Sequence, residues 1–296
     1  MDLNIQVQSQ VIKPNYALYH GDSVELIQKI SSNSIGLSLF SPPFASLYTY
    51  SDSERDMGNN KSDAEFYQHF DFLVNELYRV IMPGRHAVIH CMDLPTTITR
   101  DGYIGMKDFP GEMIRMFQSK GFVYHSRTTI WKCPVVAVTR THALGLLYKQ
   151  LKKDSSKCRT GIPDYLIVMK KPGVNPEPVE HMPEDFPVSL WQKWASPVWM
   201  DINPSCTLQK TSAREEKDEK HICPLQLDVI ERAITLWSNK HDIVYSPFAG
   251  IGSEGFQAIK QERKYVGMEL KESYYNQMVL NLERAAKIQP ELALSI

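Results

Sequence analysis

Few cysteines occur in this sequence, and none is spaced for a metal site or a redox motif. There is no Cys-x-x-Cys pair, and the five cysteines are scattered along the chain: Cys91, Cys133, Cys158, Cys206 and Cys223. Structural zinc sites and redox motifs use closely spaced cysteines, and disulfide-rich domains are short and secreted. We therefore expect a reduced, cytoplasmic chain with neither zinc nor disulfides.

Long apolar runs are also absent, and neither sign of charge is in excess. No stretch of about 18 apolar residues occurs, so a membrane span is not expected. The polar start, Met1-Asp2-Leu3-Asn4, lacks the apolar core of a secretory leader. Lys and Arg number 33 against 34 Asp and Glu, which gives a net charge of −1. Since proteins that coat nucleic acid are usually basic, any nucleic-acid contact must come from a local patch.

Strand-like and helix-like segments alternate along most of the chain. Apolar strand patterns occur at 16–20, 34–40, 87–92, 122–131, 166–169, 242–245 and 265–269. Helical spacing occurs at 23–30, 64–82, 109–120, 225–237, 255–260 and 273–287, with Pro83-Gly84 expected to stop the second helix. This alternation predicts an α/β fold with a doubly wound, mostly parallel sheet. Residues 174–220, rich in Pro and Trp and ending in a charge run, predict an irregular insert.

The tetrapeptide Ser41-Pro42-Pro43-Phe44 comes directly after the apolar strand pattern at 34–40. Two prolines end a strand and remove two backbone donors. A hydroxyl, unpaired carbonyls and an aromatic ring then remain at the carboxyl end of the strand, where ligands bind in open α/β sheets. Such an acceptor cluster beside a flat ring suits a planar base that carries an NH₂ group.

A second candidate site lies in the segment from Asp242 to Gly255, which has the pattern strand, glycine turn, helix. Gly250 and Gly252 permit a tight turn, and the following helix offers free N–H groups at its start. Glu269 comes seventeen positions after Gly252, at the end of the next strand, where an acid can accept both hydroxyls of a ribose. The pattern favours a nucleoside-containing cofactor, and the alternative is a tight turn with a surface glutamate.

Together these motifs resemble the amino-methylating DNA methyltransferases that use S-adenosyl-L-methionine. Residues 41–44 are similar to the catalytic (D/N/S)-P-P-(Y/F/W) motif of that family, and Ser246-Pro247-Phe248-Ala249-Gly250-Ile251-Gly252 is similar to its D-P-F-x-G-x-G cofactor loop. Gly21-Asp22 and the segment 221–225 also match. The order of catalytic motif, variable insert and cofactor loop resembles the permuted β-type arrangement. The resemblance covers nearly the whole chain except 174–220.

The resemblance implies a Rossmann-like class I methyltransferase fold and a set of site residues. The implied catalytic positions are Ser41, Pro42, Pro43 and Phe44. The implied cofactor-binding positions are Asp22, Pro224, Pro247, Phe248, Ala249, Gly250, Gly252 and Glu269. Residues 1–173 would form the catalytic part of the domain, 174–220 a target-recognition insert, and 221–296 the cofactor-binding part. Double-stranded DNA is the implied partner, and neither a metal nor a membrane is implied. The resemblance favours a homodimer. It also implies a cytoplasmic protein that associates with the nucleoid and is encoded by a bacterium or a phage.

The mechanism that the resemblance implies is methyl transfer to an exocyclic amine. Ser41 Oγ and the Pro42 carbonyl would accept the N–H groups of the amine, while Phe44 stacks on a flipped base. Serine at the first motif position favours cytosine N4, and adenine N6 is the alternative. Ser246, where the family usually has Asp, and Ser253-Glu254 depart from the pattern. An RNA or protein-glutamine methyltransferase and a non-catalytic nucleic-acid-binding relic also stay open.

Local positive charge suggests where DNA would bind. The cationic cluster consists of Lys149, Lys152, Lys153, Lys157 and Arg159, with Arg140 and His142 nearby. Such side chains can neutralise phosphates, and the alternative is a solvated helix face. We expect ordinary hydrogen-bonded histidines at His86, His90 and His125, and packing inside the insert for Trp191, Trp194 and Trp199.

Overall fold

The computed structural model describes residues 7–43, 63–141, 144–153, 157–208 and 224–293. Its strands are β1 (Ser9–Lys13), β2 (Tyr16–His20), β3 (Ile35–Phe40), β4 (Ile81–Cys91), β5 (Leu94–Pro95), β6 (Met106–Lys107), β7 (Val123–Ile130), β8 (Asp164–Lys170), β9 (Val198–Trp199), β10 (Ile243–Ser246) and β11 (Lys264–Glu269). Its helices are α1 (Ser23–Leu26), α2 (Asp63–Val80), α3 (Ile98–Asp101), α4 (Phe109–Ser119), α5 (Pro134–Thr141), α6 (Tyr148–Lys152), α7 (Val188–Trp194), α8 (Leu227–Trp237), α9 (Ser253–Lys260) and α10 (Glu272–Ala293). Single 3₁₀ turns lie at Ile27–Lys29 and Leu144–Leu146.

Nine strands form one sheet in the order β1-β2-β11-β10-β3-β4-β8-β7-β9. The central strands β2, β11, β10, β3 and β4 are parallel to one another. The hairpin strands β7 and β8 are antiparallel, with β8 next to β4, and β1 is antiparallel to β2 at the other edge. This arrangement is the predicted mostly parallel α/β sheet.

Apolar cores lie on both faces of the sheet, as expected for a doubly wound fold. One core holds the buried stripe of α2, in which Phe66, Phe70, Leu73 and Leu77 recur at helical spacing, together with residues of α1 and α4. The other core holds buried residues of α8, α9 and α10. All six residues of β3 are buried, because helices cover both of its faces.

The predicted stop of α2 at Pro83-Gly84 was wrong. The helix ends at Val80, and β4 begins at Ile81 and runs through both residues. A register shift between Ile35 and Leu37 interrupts the pairing of β3 with this stretch of β4, so a proline without an N–H is tolerated there. Gly84 has φ +75°, and its amide donates to the Lys171 carbonyl at 2.9 Å.

The described part of the predicted insert, residues 174–208, packs against the sheet. Strand β9 pairs in parallel with β7, and Trp199 is buried in the same core as α8. The Trp194 ring lies 5.4 Å from the Phe186 ring, and Trp199 Nε1 donates to the Trp194 carbonyl at 3.0 Å. The expected packing inside the insert is therefore confirmed for Trp194, whereas Trp199 packs into the core of the sheet and Trp191 is 51% exposed. Within the described ranges, no helix is both long and apolar enough to cross a membrane.

Candidate active site

The two sequence motifs meet at the carboxyl ends of neighbouring strands. Strand β3, which leads into Ser41, pairs in parallel with β10, which leads into the glycine loop. The Ser38 hydroxyl donates to the Tyr245 carbonyl at 3.2 Å across 207 positions of sequence. Pro42 and Pro43 are buried at the end of β3, so the backbone that carries the Ser41 hydroxyl is rigid. Phe44 lies outside the described residues, as does the segment 45–62.

Phe248 anchors the glycine loop to the catalytic strand. Its ring lies 5.9 Å from the Phe40 ring and stacks on Phe70 at 6.2 Å with an interplanar angle of 13°. Aromatic pairs at these separations contribute beyond their buried area. Packing thus fixes the loop relative to β3, and a contact between Phe248 and a cofactor stays a prediction.

Glu269 is held against the glycine loop by backbone donors. Gly250 N donates to Glu269 Oε2 at 2.8 Å, and Lys271 N donates to Oε1 at 2.9 Å. These two bonds orient the carboxylate at the glycine loop. The Gly21 amide donates to the Glu269 carbonyl at 3.0 Å, which brings Asp22, the N-cap of α1, to the same edge. Pro224 begins the last described stretch, three residues before α8.

The two loop glycines face different surroundings. Both have positive φ, +53° at Gly250 and +83° at Gly252. A Cβ on Gly252 would lie 2.8 Å from side-chain atoms of Leu282 and Met278, whereas a Cβ on Gly250 would have no atom within 4 Å. Gly252 is therefore required for packing against α10, and Gly250 faces open space.

A buried polar cluster lies beneath the loop, made of Ser246, Glu254 and Tyr265. Burial, together with the nearby charge of Glu269, raises the pKa of the Glu254 carboxyl to about 8, so Glu254 is protonated at neutral pH. Burial and the nearby Glu254 also raise the pKa of the Tyr265 hydroxyl, while Ser246 lowers it. Tyr265 thus lies near Ser246 and Glu254, two of the three positions at which the sequence departs from the family pattern. An ionised aspartate in place of Ser246 would be unfavourable here, because this cluster is buried.

Ser41 belongs to a chain of polar groups that come from the ends of four neighbouring strands, β3, β4, β8 and β7. Ser41 Oγ lies 2.9 Å from His90 Nδ1. His90 Nε2 lies 3.1 Å from Asp164 Oδ2, in an oblique approach that is electrostatic more than a formed hydrogen bond. Lys132 Nζ donates to Asp164 Oδ1 at 2.5 Å. Burial alone would raise the pKa of Asp164, but His90 and Lys132 hold it below its ordinary value.

The expectation of hydrogen-bonded histidines was wrong for His86, whereas His90 and His125 are bonded through Nδ1. His90 contacts the serine of the catalytic motif, because β3 and β4 pair Phe40 with Ile89 and so bring Ser41 level with His90. His86 is buried with neither ring nitrogen bonded to a described residue. Burial, together with the nearby His125, lowers the pKa of His86 to about 3. His125 lies 2.9 Å from the Ser126 hydroxyl, as expected.

Residues 131–163, which contain the cationic cluster, leave the sheet at the edge where Ser41 and His90 lie. Ile130 at the end of β7 pairs with Asp164 at the start of β8, so residues 131–163 leave and rejoin the sheet beside His90. This segment holds seven Lys and Arg against a single carboxylate, Asp154, although the whole chain has a net charge of −1. Lys149, Lys152, Lys153 and Lys157 are exposed, and Arg159 is half-buried, bonding the Gly145 carbonyl through its amide. His142 and the Arg140 side chain lie outside the described atoms.

Metal binding has no visible basis in the described ranges, where no group of three His, Cys, Asp or Glu is placed to hold an ion. The arrangement instead offers hydrogen-bond acceptors at Ser41 and an acidic residue beside an open glycine turn. These groups suit recognition of an amine and of a nucleoside.

Comparison with known proteins gives a family match over most of the chain. The family model for N6/N4 methyltransferases, described as DNA methylase, matches residues 35–280. The type II methyltransferase M.BamHI of Bacillus amyloliquefaciens is 24% identical over 280 residues, which are 88% of this chain and 57% of that protein. The type II beta methyltransferase M.BslI of Bacillus sp. (strain NEB-606) is 23% identical over 269 residues, 87% of this chain and 26% of that protein. The chain thus spans little more than half of one curated relative and about a quarter of the other.

Solved structures match the fold. The putative DNA modification methylase TTHA0409 of Thermus thermophilus, complexed with S-adenosyl-L-methionine, superposes with a TM-score of 0.68 at 21% identity, covering 91% of this chain and 93% of that one. The PvuII DNA methyltransferase, cytosine-N4-specific, gives a TM-score of 0.65 at 17% identity, covering 97% and 96%. These likenesses confirm the predicted fold class, and the ligand of TTHA0409 agrees with the predicted cofactor.

Proposed function

The chain belongs to the DNA methylase family of N6/N4 methyltransferases, and from this premise we propose that it methylates an exocyclic amine of a base in double-stranded DNA, with S-adenosyl-L-methionine as methyl donor. The observation that carries the proposal is the junction of the two motifs. Parallel pairing of β3 with β10 sets Ser41 beside the glycine loop, although the two are some 200 positions apart in sequence. Ligands bind at this end of parallel strands in open α/β sheets.

The residues at this edge fit the proposed cofactor. Gly250 opens onto free space, and Glu269, which the Gly250 amide orients, is proposed to accept ribose hydroxyls beside it. The loop from Pro247 to Ala249 and Asp22 complete the proposed binding residues, with Pro224 on the approach to α8. When bound, S-adenosyl-L-methionine supplies an electrophilic methyl group on a sulfonium.

Ser41 and Pro42 carry the proposed chemistry at the base. The lone pair of an exocyclic amine is delocalised into the ring, which makes the nitrogen a poor nucleophile. Acceptors at Ser41 Oγ and at the Pro42 carbonyl bind the N–H groups and favour a more tetrahedral nitrogen, which frees the lone pair. The buried prolines hold these acceptors in place before the base arrives, so little reorganisation is needed during transfer. Phe44 is proposed to stack on the flipped base.

Cytosine N4 is the proposed target atom. Serine at the first motif position supports it, and the PvuII enzyme with the same overall fold is cytosine-N4-specific. Adenine N6 is the alternative, and the family model spans both activities.

DNA contact is proposed for the basic segment 131–163, which rises next to the site. A concentration of seven cations against one anion gives a local positive field in a chain that is otherwise acidic. Lys149, Lys152, Lys153, Lys157 and Arg159 are the proposed phosphate ligands. Recognition of the target sequence is proposed for the insert 174–220, and its residues 209–220 lie outside the described ranges.

Mass spectrometry of nucleosides tests the proposal directly. Unmethylated plasmid DNA of mixed sequence is incubated with the protein and S-adenosyl-L-methionine, then digested to nucleosides. We expect N4-methyldeoxycytidine to accumulate, and N6-methyldeoxyadenosine instead would assign the alternative. Absence of both products, together with no cofactor binding at millimolar concentration in calorimetry, would contradict the proposed function.

Ser41→Ala is the informative variant in the same assay. We expect at least about 100-fold slower methylation, because one preorganised group at the reacting atom is lost. Cofactor affinity and thermal stability should stay close to those of the wild type. Ser126→Ala, which removes a strand hydroxyl on β7 beside His125, serves as the control with normal activity. A Ser41→Ala protein that methylates at the wild-type rate would remove Ser41 from the mechanism.

A further inference from the structure

We propose that His90 is a positioning residue for methyl transfer, which orients the Ser41 hydroxyl and takes up the proton that the methylated amine releases, with Asp164 behind it. This inference rests on the proposed function and adds residues that neither motif contains. Its basis is the continuous path from Ser41 Oγ through the His90 ring to Asp164 and Lys132. Each of these groups comes from a different place in the sheet, at the ends of β3, β4 and β7 and the start of β8.

The charge of Asp164 determines which ring nitrogen of His90 carries the proton in the neutral ring. Asp164 is 3% exposed, and Lys132 and His90 lie against its two oxygens. These neighbours keep its pKa below the ordinary value in spite of burial, so the group is a carboxylate. A carboxylate accepts and cannot donate. The tautomer that suits this site therefore carries its proton on Nε2, towards Asp164, and leaves Nδ1 as an acceptor.

An acceptor at Nδ1 fixes the direction of the Ser41 hydroxyl. At 2.9 Å, Ser41 donates its O–H to His90, and both lone pairs of Oγ are then directed away from the ring. Without that acceptor, the hydroxyl proton would rotate freely and would spend time pointing at the incoming amine. An O–H and an N–H donor that meet would repel, so His90 makes Ser41 an acceptor for the base.

The same path balances the protons of the reaction. The amine nitrogen forms a bond to the methyl carbon as the bond from that carbon to sulfur breaks, which leaves the nitrogen with a positive charge and one proton too many. That proton passes to Ser41 Oγ while the Ser41 hydroxyl proton passes to His90 Nδ1. The imidazolium formed lies 3.1 Å from the Asp164 carboxylate. His90 is 12% exposed, so its proton can then leave to solvent.

The other ionisable groups near His90 either interact with other residues or carry no charge. Asp93, three residues further along the chain, accepts from the Tyr165 hydroxyl at 3.5 Å, and Arg127 lies 4.8 Å from the Tyr165 ring. Cys91 is fully buried, and burial raises the pKa of its thiol well above the ordinary value, so it carries no charge. Among the described residues, Asp164 is therefore the charged group that contacts the His90 ring, and Lys132 contacts Asp164.

A double-mutant cycle tests whether His90 acts through Ser41. The proteins compared are wild type, His90→Ala, Ser41→Ala and the double variant, each assayed for kcat and for cofactor Kd by calorimetry. We expect His90→Ala to lower kcat at least about tenfold, in keeping with an orienting and proton-accepting role, with the cofactor Kd within about twofold. In the Ser41→Ala background, the same change should lower kcat by less than about twofold, because its target is already absent.

A conservative variant separates orientation from general packing. Asparagine places an acceptor oxygen near the position of Nδ1, so His90→Asn should recover part of the kcat lost in His90→Ala. If His90→Ala fails to fold, His90→Asn replaces it in the cycle, with the same expected loss of additivity. His125→Ala removes a histidine at the opposite end of the hairpin and should leave kcat unchanged.

Two results would overturn the inference while leaving the proposed function intact. One is a wild-type protein that methylates and a His90→Ala variant with unchanged kcat. The other is a cycle in which the losses multiply, since additive effects in free energy mean that His90 does not work through Ser41. A wild-type protein without methylation would instead contradict the proposed function itself.

Discussion

Glu254 is a carboxylic acid at the start of α9 that is 5% exposed. Burial raises its pKa to about 8 from an ordinary 4.5. As the pH rises between these values, the unfolded chain loses this proton while the folded protein keeps it, so unfolding becomes more favourable. The contribution of Glu254 to stability is therefore greatest in acid and falls through this window.

Glu254→Gln should remove this pH dependence, because glutamine has the same shape and no proton to lose. Urea unfolding at pH 5 and at pH 8 is expected to show the wild type losing free energy of unfolding relative to the variant, by up to about 1.4 kcal/mol for each pH unit. Glu262→Gln is the control. Pairing with Lys240 lowers the pKa of Glu262, so its contribution changes only in more acidic solution. Parallel curves for wild type and Glu254→Gln would show that Glu254 is ionised in the folded protein.

Gly250 and Gly102 form a matched pair for testing the cofactor loop. Both have positive φ, +53° and +77°, and a Cβ on either would meet no atom within 4 Å. Alanine at both positions should therefore cost a similar free energy of unfolding, about 1–2 kcal/mol for the left-handed backbone. Only Gly250→Ala fills the space beside Glu269, so its Kd for S-adenosyl-L-methionine should rise at least about tenfold. Equal cofactor affinity in the two variants, measured by calorimetry, would show that the space beside Gly250 is not the cofactor site.

Helix α6 and the residues after it carry the positive charge assigned to DNA. Lys149, Lys152 and Lys153 are exposed there, and the salt bridges among described residues include none of them. Changing all three to Gln should lower the slope of log K against log salt for DNA binding by up to about 2.7, at about 0.9 per phosphate contact.

The control for this triple variant removes the same charge elsewhere. Lys240, Lys260 and Lys264 are exposed at the amino-terminal edge of the sheet, opposite the site. Their replacement by Gln should leave the salt slope close to that of the wild type in filter-binding or anisotropy titrations. Equal effects of the two triple variants would show that net charge, and not the basic segment, controls DNA binding.

At the scale of elements, the sequence predicts what periodicity and burial dictate. The stripe of α2 and the apolar run of β3 are readable because both bury their residues in a core. Strand β1 is an edge strand with mostly exposed residues, and β9 has two residues paired only with β7. Neither has a pattern to detect, because tertiary pairing alone makes them strands.

The candidate site likewise contains residues that the sequence predicts and residues that it does not. Ser41 and the glycine loop are visible as motifs, because proline and glycine change the backbone locally. His90 and Asp164 become neighbours of Ser41 only through the register of β3 with β4 and of β4 with β8. A single sequence does not specify that register, so these residues resembled ordinary strand residues.

At the scale of the whole molecule, the first and last parts of the chain, which hold the proposed catalytic and cofactor-binding residues, are one structure. Strands β10 and β11, from the last part of the chain, lie between β2 and β3 from the first part. A buried ion pair also joins the two parts, with Arg85 3.0 Å from Asp242 and neither side chain more than 6% exposed. Removing one partner of such a pair leaves an uncompensated buried charge, so the two parts depend on each other for stability.

The late arrival of β10 beside β3 has a consequence for how the protein is made. Ser38 of β3 and Tyr245 of β10 are hydrogen-bonded partners separated by 207 residues. Because ribosomes add roughly 5–20 residues each second, β10 is synthesised roughly 10–40 s after β3. Meanwhile β3 pairs with β4 on one side and leaves the other edge open, and the apolar face that α8, α9 and α10 later cover stays exposed. An open apolar strand edge is a template for association with other chains. We predict that the nascent protein needs chaperone protection during the time when Ser41 has been made but the glycine loop has not.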